Sequence, residues 1–356
     1  MSETAGPSPQ AYSKLAELEL EFDKAEEELC IAPFPPPQVR KVILICCWND
    51  TVKHQIELFD PIYVRRGAVL DTIQSFWTTI LENFSPDIDE HITTEDWVFL
   101  GENITSINVT RPEKDTNPRT FEIEIGFKPD NGVVATTRLQ KRFTYKALRS
   151  GDERWSGLVS EPVVVPWIDD KKDLTGGINA LAIKIFELRK KRAEKHIAEK
   201  KEAANSGASK KSGAVKEDDG LADLEREMEE KLNQNQSFFN WFSWTGNHFM
   251  VMEREAEMKI KEEADKSKAK EGEEEEDDDE EDSDGADDGI DVFPYGEKLA
   301  YLIAEDLFPN ALKHFGIPSQ PVCPNLEGNL LTLCGSSRCD GIRRGPRRGR
   351  GRRRRL

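Results

Sequence analysis

Between Ile56 and Phe84 the chain reads IELFDPIYVRRGAVLDTIQSFWTTILENF, in which Leu58, Ile62, Val69, Ile73, Phe76 and Ile80 recur at helical steps and share one face. A stripe of that length has to be covered, so any fold open to this chain must supply a partner for it. The same pattern runs upstream through Leu15, Leu18, Phe22, Ala25 and Leu29, whose alternating steps of three and four trace a seam suited to helix pairing. Together the two stretches predict one long dimerisation helix over 11–84, paired with a second copy of the chain. Its interface residues would be Leu15, Leu18, Phe22, Leu29, Leu58, Ile62, Val69 and Ile73. The stretch 31–55 interrupts the seam. Pro33, Pro35, Pro36 and Pro37 forbid a helix, and Val39–Trp48 reads as an isolated β-like run, so this segment is expected to be an insert.

Residues 1–10, small and polar with Pro7 and Pro9, read as a disordered leader. After Phe84 a short helix is expected at Thr94–Leu100. Strands follow at Asn103–Thr110, Arg119–Lys128 and Val133–Tyr145, the last two joined by Lys-Pro-Asp-Asn-Gly, where Asn-Gly supplies positive φ. Arg149–Pro162 reads as an irregular connection and Val163–Trp167 as a last short strand. Helices are expected at Asn179–Glu202, Leu221–Leu232 and Glu253–Lys270, with a flexible linker at 203–220 and a charged insertion at 253–289. The sequence therefore predicts an α+β domain over 85–315 and a disordered tail over 316–356. Within it, Gln236–Phe242 places four aromatics in five consecutive positions. Burying each is worth about 1.5–3 kcal/mol, so this run should plug the core.

The formal net charge of -18 points to a basic partner, and away from anionic membranes or sequence-specific nucleic-acid binding. The apolar run Val42–Trp48 is far shorter than the roughly 20 residues of a membrane span. No signal peptide precedes the first helix, and Cys30, Cys46, Cys47, Cys323, Cys334 and Cys339 are scattered as reduced thiols would be, so a soluble intracellular protein is expected. Residues Glu271–Gly289 contain no Lys or Arg, and Glu273, Glu274, Glu275, Glu276, Asp277, Asp278, Asp279, Glu280, Glu281 and Asp282 are uninterrupted carboxylates able to exchange counterions for Lys and Arg of a partner. A solvating spacer is the blander reading of the same run. Enzyme readings fare poorly, because the chain has no phosphate-binding glycine loop, no H-E-x-x-H and no nucleophile elbow. No cofactor or metal is expected. His314, Cys323, Cys334 and Cys339 lack a C-x-x-C knuckle, and Glu280–Asp291 departs from a calcium loop at its first and last ligands. The basic run Arg343–Arg355 reads as a nuclear localisation or nucleic-acid patch.

Several of these motifs resemble one family. Leu58, Pro61 and Arg66 in an LxxPxxxxR core followed by Ile73, Phe76 and Trp77, then Ser237-Phe238-Phe239-Asn240-Trp241-Phe242, then Glu305-Asp306-Leu307-Phe308-Pro309-Asn310, are similar to signatures of the nucleosome assembly proteins, SET (template-activating factor) branch. A charged insertion between the last two motifs resembles that of fungal members. The resemblance implies a long dimerisation helix followed by an antiparallel sheet and helices, the "earmuff" domain, and a nuclear histone chaperone that binds core histones on acidic surfaces. Those surfaces would include Asp169, Asp170, Asp173, Glu305 and Asp306 besides the acidic run, while Phe238, Phe239, Trp241, Phe242, Phe308 and Pro309 would be structural. A SET-type regulatory role such as phosphatase inhibition and a coiled-coil scaffold are the alternatives, and a histone-modifying enzyme or a phosphatase is a further partner the resemblance implies.

Overall fold

The Asn131-Gly132 pair turns the chain as expected: Gly132 takes φ +69°, and the Asn131 side-chain oxygen accepts from the amides of Val133 and Val134 at 3.0 and 2.7 Å. It lies within a computed structural model that describes residues 8–31, 40–83, 92–150, 153–206, 220–268 and 290–316, all inside one unit, Met1–Ser319. Four antiparallel strands run in the order β1 (Ile104–Thr110), β2 (Phe121–Phe127), β3 (Arg138–Ser150) and β4 (Glu153–Val159). Alternation puts Phe121, Ile123, Ile125 and Phe127 of β2, and Leu139 and Phe143 of β3, on the buried face. Phe121 pairs with Phe143 in register and stacks on it at 5.5 Å. Where β1 shifts register beside Ser106, a side chain at Gly126 would collide with the serine hydroxyl, so glycine is needed there. The fold is α+β.

The sheet departs from the sequence reading at three places. The strand expected from Val133 begins at Arg138, because Val133 and Val134 are held by the Asn131 turn and Val134 forms only an isolated bridge with Trp167. Val163–Trp167 is accordingly not a strand. The connection expected over Arg149–Pro162 is β4, whose register with β3 runs from Thr144↔Val159 to Ser150↔Glu153.

The predicted long helix is also several pieces. Helix α1 (Pro9–Ile31) and helix α2 (Arg40–Leu70) are separate, and α1 packs along α2 within the same chain. Residues 40–55, read as β-like and inserted, belong to α2; the proline-bearing residues 32–39 lie outside the described residues, as do 1–7, whereas Pro9 and Gln10 open α1. Pro61 is tolerated inside α2, where it is exposed. The stripe breaks again after Leu70, at a turn in which Ser75 takes φ +56°, before α3 (Phe76–Asn83). Leu15, Leu18, Phe22, Ile62 and Ile73 are buried by these contacts, and Leu58 and Val69 half-buried against the same core. The seam is thus covered inside one chain.

Helix α4 (Thr94–Asn103) leads into β1; α5 (Ile178–Ser206), α6 (Leu221–Leu232) and α7 (His248–Lys268) follow the sheet. Phe186 meets Phe249 at 5.1 Å, and further along His196 meets Glu253 and Lys200 meets Glu257, so α5 and α7 run side by side in the same direction. The charged helix begins five residues before its predicted start and runs to Lys268. The linker residues 207–219, the acidic residues 269–289 and the tail 317–356 lie outside the described residues. The chain re-enters through α8 (Gly296–Tyr301), a π turn at Leu302–Leu307 and α9 (Ala311–His314), three consecutive pieces. Leu299, Ile303 and Leu307 are buried and Leu302 half-buried.

Candidate functional site

The aromatic run forms a short 3-10 turn, Phe238–Ser243, whose aromatic side chains are all at most 5% exposed. Asp96 receives it. This carboxylate is fully buried and accepts from the Ser237 hydroxyl at 2.7 Å and the Phe238 amide at 2.8 Å, while closing a capping box with Thr93 at the start of α4. Trp241 donates its indole N–H to the Gly296 carbonyl at 3.0 Å. On the other side lies Lys141, a fully buried cation on the inward face of β3. Its Nζ donates to the carbonyls of Glu161, Phe242 and Trp244 at 2.9, 3.0 and 2.8 Å. Burial pushes its pKa well down and the Glu161 charge opposes this; three carbonyls complete the donor set of an ammonium, and we take the charged form as the one this site holds.

The motifs centred on Arg66 and on Leu307-Phe308-Pro309 meet each other. In the π turn the Phe308 amide reaches back to the Ile303 carbonyl, and Pro309 stops the helix, leaving the carbonyls of Phe308 and Pro309 free of helical partners. Arg66, 1% exposed, donates to them at 2.7 and 3.0 Å. Its guanidinium also lies 4.6 Å from the Tyr63 ring and 4.5 Å from the Phe308 ring, with Phe22 of α1 at 5.8 Å. Burial lowers its pKa to about 10, so it stays charged at neutral pH.

The five candidate carboxylates of the folded domain fall into two settings. Asp169, Asp170 and Asp173 flank a one-turn 3-10 segment: Asp169 caps it, accepting from the Lys171 amide at 3.3 Å, and Asp173 accepts from the amides of Thr175 and Gly177, both at 2.7 Å. Asp173 is therefore occupied in shaping the turn, whereas Asp169 and Asp170 are exposed beside Lys171 and Lys172. Glu305 and Asp306 sit on the π turn. Burial raises the pKa of Glu305, with Arg111 and Arg119 opposing; Asp306 accepts from the Asn310 amide group at 2.8 Å and faces His314 at 3.4 Å. The ten carboxylates of Glu273–Asp282 lie outside the described residues.

Three carboxylates that the sequence reading passed over join the second setting. Glu19, Asp23 and Glu26 of α1 all feel the Lys313 ammonium on α9, and burial raises the pKa of each, with Asp23 adding to the shift of Glu19 and Glu26. A seam read only for its apolar positions hides them. Lys141 and Asp96 were legible in principle: Lys141 holds an inward parity position between Leu139 and Phe143, and Thr93-Thr94-Glu95-Asp96 carries capping-box spacing. Among the described residues no group of three or more His, Cys, Asp or Glu is placed to hold a metal ion, and no helix is long and apolar enough to cross a membrane.

No family model matches the chain. Among curated proteins, a Schizosaccharomyces pombe chain whose name assigns it to the nucleosome assembly proteins is 30% identical over 164 residues, covering 44% of this chain and 57% of that relative. The match thus spans less than two thirds of the relative's length. Two solved structures are similar: Ccp1, 23% identical over 86% of this chain and 94% of its own with a TM-score of 0.42, and the Vps75 histone chaperone, 18% identical over 84% and 96% with a TM-score of 0.41. The S. pombe relative carries the name of the family that the Arg66, aromatic-run and Pro309 motifs resemble.

Proposed function

We propose that this relative of the nucleosome assembly proteins is a nuclear histone chaperone, holding core histones through carboxylates and releasing them to DNA without covalent chemistry. The observation that carries the reading is the uninterrupted run of ten carboxylates, Glu273–Asp282, in a stretch free of Lys and Arg. It follows directly on α7 and is succeeded by Ile290, Val292 and Phe293, which pack into the domain, so the charge is anchored at both ends. Carboxylates that repel one another favour release of their counterions to a partner rich in Lys and Arg. Such binding is screened within about 8 Å at physiological ionic strength. Purified core histones should therefore bind at low salt and dissociate as salt is raised. Deleting Glu271–Asp288 should weaken binding at low salt while leaving the thermal melt of the domain in place. Undiminished affinity in the deletion would move the interface to the folded carboxylates; no binding by the intact chain would end the reading.

Self-association is part of the same proposal. With the seam covered by α2, the described residues of these two helices still expose Tyr12 and Leu20, eight positions apart on α1, and Val64 on α2, which are 45, 53 and 75% exposed and are offered as part of the contact with a second copy.

A further inference from the structure

Helices α5 and α7, which run side by side, are closed along one side and open along the other. On the closed side His196 and Lys200 of α5 each meet a glutamate of α7, Glu253 at 3.5 Å and Glu257. On the open side like stands across from like: Glu194 of α5 and Glu255 of α7 come first along the shared direction, and Lys201 and Lys259 follow. Neither couple can draw the helices together there. A groove of about 310 Å³ remains, with Ile197, Met252 and Ala256 as its apolar floor. Glu255 also holds Lys146 of β3 at 2.6 Å, which ties that end of the groove to the sheet and leaves Glu194 as its available carboxylate.

We propose that this groove receives one amphipathic helix of a partner protein, lying antiparallel to α5 and α7, acidic in its first turn and basic in its last. The charges choose the orientation. Acids of the partner meet Lys201 and Lys259, and a base further along meets Glu194, seven residues or about 10 Å away and thus two helical turns. Acid first and base last is also the order that a helix's own dipole favours. Two turns set two or three apolar side chains over the floor, at the steps of three and four by which helices interlock, and Met252 adapts to their shape. A second copy fits less well, because it brings the same hollow, and two hollows face to face leave unfilled space. Histones are poor occupants too: the floor is apolar and the end nearer the C-termini is basic, neither of which suits a surface of Lys and Arg.

The test titrates the full chain with a fluorescein-labelled synthetic peptide that carries Glu in its first turn, Leu at steps of three and four, and Lys in its last turn. A peptide of the same composition with its leucines scattered is the control. Anisotropy should show saturable binding of the first peptide and about tenfold weaker binding of the second; equal binding, or none, overturns the proposal. Ala256→Phe fills the floor, and Lys201→Glu with Lys259→Glu makes both ends acidic; each, once checked for native circular dichroism, should weaken the first peptide about tenfold. Ala256 is half-buried and both lysines are exposed, so the charge pair still decides if Ala256→Phe misfolds. Binding that the variants leave undisturbed lies elsewhere and overturns the groove. An amine-reactive group on the peptide's first residue should capture Lys201 or Lys259, and capture of Lys146 instead overturns the antiparallel order. Sedimentation of the chain alone decides about a second copy: an association abolished by Ala256→Phe would make the groove a contact between copies and overturn the partner helix.

Discussion

Lys141 shows what a single inward-facing charge does to this domain. All three of its N–H groups end on main-chain carbonyls from two segments distant in sequence, so β3, the chain after β4 and the exit of the aromatic turn are held by one side chain. Lys141→Met keeps the volume and strands three buried acceptors, which should cost about 1–3 kcal/mol in urea unfolding followed by tryptophan fluorescence. An unchanged midpoint would show that the carbonyls find other donors. Glu19 makes the opposite case. Its folded pKa lies above that of a free glutamate, so the folded state binds more protons than the unfolded one between those values, and stability from this group is present at low pH and lost as pH rises through the folded pKa. Glu19→Gln should therefore raise the thermal midpoint at neutral pH, with the gain vanishing below about pH 4.5. A midpoint unchanged at neutral pH would show that burial does not disfavour the ionised Glu19 carboxylate.

At the scale of elements, the pairing of α1 with α2 is the feature on which the sequence and the fold disagree most. The apolar periodicity of Leu15, Leu18 and Phe22 correctly marked a buried face, but periodicity is silent about what buries it, and the partner is α2 of the same chain. Leu18→Ala should cost about 2–5 kcal/mol in the unfolding of this helical pair, with amide protection lost first in α1 and not in β2 or β3. Simultaneous loss of protection in the sheet would make the pair inseparable from the domain. The strands were readable where a single face alternates, as at Phe121–Phe127, and missed at Glu153–Val159, which lies beyond a long β3 and carries few alternating apolar residues. Helix α2 was missed over 40–55 because its apolar, β-branched run mimics a strand and follows four prolines. Of the candidate carboxylates, those on the Glu305-Asp306 motif were found by resemblance. Glu19, Asp23 and Glu26 feel the charge of Lys313, nearly three hundred residues away, which no local pattern announces.

On the scale of the whole molecule, the proposed second copy is a matter for sedimentation. The intact chain should sediment as a dimer, and Leu20→Glu with Val64→Glu should give folded monomers, since both positions are exposed in one chain. A dimer that survives both changes would place the contact elsewhere. The locks described above also have an order in time. Lys141 waits for carbonyls 101 and 103 positions further along, and Arg66 for carbonyls 242 and 243 positions further along. At a synthesis rate of roughly 5–20 residues per second, the sheet stands without its aromatic turn for roughly 5–20 s and Arg66 without its acceptors for roughly 12–50 s. Throughout that interval the emerging polypeptide shows its neighbours on the ribosome an apolar sheet face and a guanidinium destined for a dry interior. A chain proposed to shield histones thus needs shielding itself while it is being made, and messages cut short before the codon for Pro309 should yield chains that aggregate or are degraded.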